Sequence, residues 1–119
     1  MTPEASLEFP HPRAAAALVI LCAAPEGFDA EALGRALVEQ SLAACVQVGP
    51  VVTSIYRWKG STEQSIERLI LIKTRAELFE RVEAAIRAVH PYEVPEIIAV
   101  PVSAGHAPYL AWIAETASG

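Results

Sequence analysis

The chain has 119 residues, 53% of them hydrophobic, and a net charge of −5 from 14 acidic and 9 basic side chains. A chain of this length builds one hydrophobic core and has no room for a second. Its cations form no run or stripe, which excludes the clustered charge that phosphate backbones require, so nucleic acid is not an expected partner.

The longest apolar run, Ala14 to Pro25, falls short of the ~18 residues that a membrane span requires, so no membrane partner is expected. So much apolar surface in a small domain points to an oligomer that hides the excess between copies. Cys22 and Cys45 form neither a CxxC pair nor a disulfide framework, which fits a reducing compartment and a cytoplasmic location. Residues 1–13 carry Pro3, Pro10, Pro12, Glu4 and Glu8 where a secretory signal would carry cations, and read as a disordered tail. The folded domain is expected over residues 14–119.

Along that domain, Ala14 to Ala24 is apolar on both faces and rich in branched residues at its LVILC centre, which predicts a central strand. Asp29 is a candidate N-cap for a helix through about Ala43, with Leu33/Leu37 and Val38/Leu42 at i,i+4 forming an inward stripe. Cys45 to Lys59 reads as a long strand bent at Gly49-Pro50, because proline cannot donate to a ladder. Lys59-Gly60-Ser61 is turn chemistry, and Ile66 to Thr74 is the returning strand of a long hairpin. Thr74-Arg75-Ala76-Glu77 has the pattern of a capping box ahead of a helix carrying Leu78, Val82, Ala85, Ile86 and Val89 on one face. Pro91 stops that helix near His90. Glu96 to Ser103 is a last strand, and Ala107 to Thr116 a closing helix with Pro108 in its first turn.

The order is βαββαβ plus a terminal helix, an α+β, ferredoxin-like sandwich with helices on one face of an antiparallel sheet. A long hairpin projecting from so small a domain calls for a neighbouring subunit to cover it.

Several strings then resemble one family in unbroken order. They are Leu18 to Pro25, Leu42 to Val46, Thr53-Ser54-Ile55-Tyr56-Arg57-Trp58-Lys59-Gly60, Ile72-Lys73-Thr74, His90-Pro91-Tyr92-Glu93-Val94-Pro95-Glu96 and Tyr109-Leu110-Ala111-Trp112. Together they span about Ala17 to Ile113 and look like the signature strings of the CutA divalent-cation-tolerance proteins. The resemblance implies a ferredoxin-like protomer in a homotrimer built like the PII signalling proteins, with divalent metal ions, copper among them, as partners. It also implies Cys22 and His90 as the metal-linked positions. Some members carry a second histidine just before the first, where this chain has Val89.

Thiolate and imidazole suit copper or zinc, but two ligands are too few for a closed structural site, so binding at Cys22 and His90 would be weak or shared between subunits. The plain alternatives are a buried strand thiol for Cys22 and a C-terminal helix residue favoured by the macrodipole for His90. Cys45, Arg57, Trp58, Lys73, Tyr92 and Glu93 are candidates for a ligand pocket, and Lys73, Tyr92, Glu93 and Glu96 for a polar cleft between subunits. Each could equally serve packing or the interface.

Metal-linked binding with a homeostatic or signalling role is therefore the leading expectation. A PII-like sensor gripping a small anionic metabolite through Arg57 and Lys73 is the alternative. An enzyme is not expected. There is no Gly-rich phosphate loop, no HExxH and no asparagine of the kind that acylphosphatases use at the phosphate.

Overall fold

A computed structural model describes residues 16–119, so the expected tail at residues 1–13 lies outside the described residues. Strand β1 (Ala17–Pro25) is followed by helix α1 (Ala30–Glu39) and the long strands β2 (Cys45–Trp58) and β3 (Ser61–Arg75). A 3-10 turn (Ala76–Leu78) leads into α2 (Phe79–Val89), then β4 (Ile97–Pro101) and α3 (Ala107–Thr116). The sheet order is β2-β3-β1-β4 and every pairing is antiparallel, which is the ferredoxin-like arrangement.

The core lies between one face of the sheet and helices α1 and α2. Ile20, Cys22 and Ala24 of β1 and Ile70 and Ile72 of β3 point to that face and meet Leu33, Leu37, Val82 and Ile86. Ile20, Ile70, Ile72, Leu37, Val82 and Ile86 are wholly buried, each stabilising the fold by about 1.5–3 kcal/mol. The opposite face carries Ile98 and Val100 at 54% and 49% exposure, and no helix among the described residues covers them.

Strand β1 ends where Pro25 faces Glu67, so beyond that point β2 and β3 pair only with each other. The outer hairpin is thus a two-stranded ribbon, a form of marginal stability alone. Its turn closes at Trp58 opposite Ser61, with both central residues, Lys59 and Gly60, at positive φ (50° and 84°). That is the geometry of a type I′ turn, whose twist matches the strands. The expected bend at Gly49-Pro50 is present as a register shift between Val48 and Val51.

Three local expectations are corrected. Strand β3 begins at Ser61, ahead of the expected Ile66, because the polar run after the turn pairs with Ser54 to Trp58. Helix α1 stops at Glu39, short of the expected Ala43. Ser41 there takes a left-handed conformation (φ 59°), while its N–H bonds Val38 and that of Leu42 bonds Leu37, a Schellman close without the usual glycine. The capping box at Thr74 does not form. Thr74 is buried in β3 and donates to the Leu42 carbonyl at 2.6 Å, while Glu77 pairs with Arg75 at 2.8 Å.

These contacts set two opposite expectations for single changes. Ser41→Gly should stabilise the fold by about 0.5–1 kcal/mol, since glycine reaches the left-handed region without a Cβ penalty. Gly34→Ala should destabilise it by about 1 kcal/mol, because the new Cβ would lie 2.9 Å from Val46 Cγ1 and outweigh alanine's better helix propensity. Thermal or urea unfolding reads both. A stabilised Gly34→Ala variant would contradict the packing of α1 on β2.

Candidate functional site

Pro91 ends α2, and His90 takes an extended conformation at its C-cap. The ring then turns back into the protein, 8% exposed, between Phe28 and Tyr92, with centroids 5.8 Å and 4.8 Å away. The Tyr92 backbone N–H reaches His90 Nδ1 at 3.1 Å. A backbone N–H can only donate, so Nδ1 is the bare nitrogen and Nε2 carries the proton. That proton goes to the Ala23 carbonyl at 2.8 Å. Both ring nitrogens are therefore in use.

Cys22 precedes Ala23, yet its side chain points the other way, into the core, at 1% exposure. Its thiol is pushed up to about 11, first by burial and then by the Glu96 carboxylate, and so stays protonated at neutral pH. Metal coordination requires thiolate and a free imidazole lone pair. The two expected ligands are thus neighbours through a backbone carbonyl, without forming a joint donor pair. Among the described residues no three His, Cys, Asp or Glu side chains gather closely enough to hold an ion.

The six residues expected in one ligand pocket separate into three places. Cys45 faces Lys73 across the ladder, and Lys73 Nζ donates to the Tyr109 hydroxyl at 3.2 Å while lying over that ring. Arg57 is at the hairpin tip and donates to the Gly60 carbonyl at 3.3 Å. The positions from 45 to 57 of β2 separate Arg57 from Lys73, roughly 40 Å of strand at about 3.3 Å per residue, so they grip no common anion within one chain. The third place is the site proper.

There, Trp58, Tyr92 and Glu93 share a cleft of about 750 Å³ between the hairpin and the loop after α2, together with Tyr56, Glu67 and Glu96. The loop is held against the body by the His90 bonds, and Tyr56 is tied to Ser65 by a 2.8 Å hydroxyl bond. The Tyr92 phenol is pushed up to about 12, by burial first and then by the Glu67 carboxylate beside it. Glu67 went unnoticed in the sequence because it stands in the alternation of a hairpin strand, where a glutamate ordinarily faces water. It is 8% exposed here. It stands opposite Pro25, at the last rung of the full sheet.

The two thiols should differ sharply in reactivity. At pH 7.5 iodoacetamide should label the half-buried Cys45 and leave Cys22 unmodified until the protein is denatured. Rapid labelling of Cys22 in the native protein, read by mass spectrometry of its peptide, would contradict the sealed strand.

The family model described as the CutA1 divalent ion tolerance protein matches residues 18–116. The divalent-cation tolerance protein CutA of Thermus thermophilus is 43% identical over 97 residues, 82% of this chain and 94% of that protein. Protein CutA of Homo sapiens is 45% identical over 102 residues, 86% of this chain and 56% of that protein, so the present chain spans little more than half of the human relative. The solved structure of the Thermus thermophilus divalent cation tolerance protein superposes with a TM-score of 0.81 at 42% identity, covering 84% of this chain and 97% of that one. An Archaeoglobus fulgidus structure described as a periplasmic divalent cation tolerance protein gives 0.81 at 35% identity, covering 86% and 99%. The chain belongs to the CutA1 divalent ion tolerance family.

Proposed function

We propose that the chain works as a homotrimer, in a PII-like arrangement, that binds divalent cations, copper among them, at its subunit boundaries and so serves ion tolerance or signalling, by binding and not by catalysis. The observation that carries this reading is the uncovered sheet face with its projecting hairpin. Ile55 and Ile66 of the hairpin are 68% and 55% exposed, and Ile98 and Val100 continue the apolar surface along β4. Neighbouring copies would bury that surface, and the family resemblance supplies the number three.

The metal reading takes a particular form. One chain gathers no complete donor set among its described residues, Cys22 is sealed and protonated, and His90 is engaged at both nitrogens. An ion would therefore be held by groups from more than one copy, with Glu93 and Glu96 at the mouth of the cleft as this chain's contribution. Both cysteines are unpaired, which supports a reducing compartment, the cytoplasm. No helix among the described residues is long and apolar enough to cross a membrane.

Light scattering at micromolar concentration should return the trimer mass, and a stable monomer would refute the assembly. In copper titrations of that trimer, Cys22→Ser should leave affinity within about twofold. Replacing Glu93 and Glu96 together by glutamine should weaken it at least several-fold. Copper affinity lost in Cys22→Ser and kept in the double glutamine variant would overturn this placement of the ion.

A further inference from the structure

We draw no further inference here: the strongest candidate, the pocket of about 310 Å³ between the start of α1 and strands β2 and β3, joins a helix N-terminus to the carboxylates of Glu26, Asp29 and Glu31, and among the described residues no buried polar side chain without a partner points into it.

Discussion

The bond from His90 to the Ala23 carbonyl fixes the functional half of this molecule. It joins the loop after α2 to the end of β1, between residues 67 positions apart in the chain. Proline at position 91 makes the arrangement necessary, since the helix must end and its last residue must turn away. The return bond from the Tyr92 N–H to Nδ1 then sets the first residues of the loop. Leaving either buried partner unsatisfied would cost about 1–3 kcal/mol, so the ring acts as a two-sided clasp.

From that clasp the rest follows in order. A fixed loop gives the hairpin a wall to face, and the space between them becomes a cleft in place of a shallow groove. Tyr92 and Glu67 line it together, with Glu67 at the rung where β1 ends. The hairpin beyond that rung has only its own two strands for support, which leaves its apolar side chains for contacts outside the chain. The same clasp removes His90 from the pool of ready metal ligands, and Cys22 is removed by burial one residue away.

Most of the architecture was legible because its signals are local. Branched residues marked β1, Gly49-Pro50 marked the break in β2, and Pro91 and Pro108 marked helix ends. The misses came from tertiary contacts overriding local chemistry. Ser41 holds a left-handed turn that sequence rules assign to glycine or asparagine, and Thr74 spends its hydroxyl on Leu42 instead of a cap. The site was half legible. Aromatic and acidic residues flagged on the hairpin and the loop, namely Trp58, Tyr92, Glu93 and Glu96, do converge. Glu67 was invisible, because alternation within a strand does not say where the neighbouring strand stops. Lys73 and Cys45 were grouped with the cleft residues by residue type, and only the register shows that they stand far along the strands from that cleft. Arg57 is absent from its lining, although Tyr56 and Trp58 on either side belong to it.

The central claim is that His90 is a structural clasp, and long-range ¹⁵N NMR of its imidazole reads this directly. At pH 7.5 the account requires the neutral tautomer protonated at Nε2, with Nδ1 bare, and the same pattern after a stoichiometric amount of a diamagnetic divalent ion such as zinc is added. A ring protonated at Nδ1 in the free protein, or an Nε2 resonance that moves to a metal-bound position on titration, would contradict it.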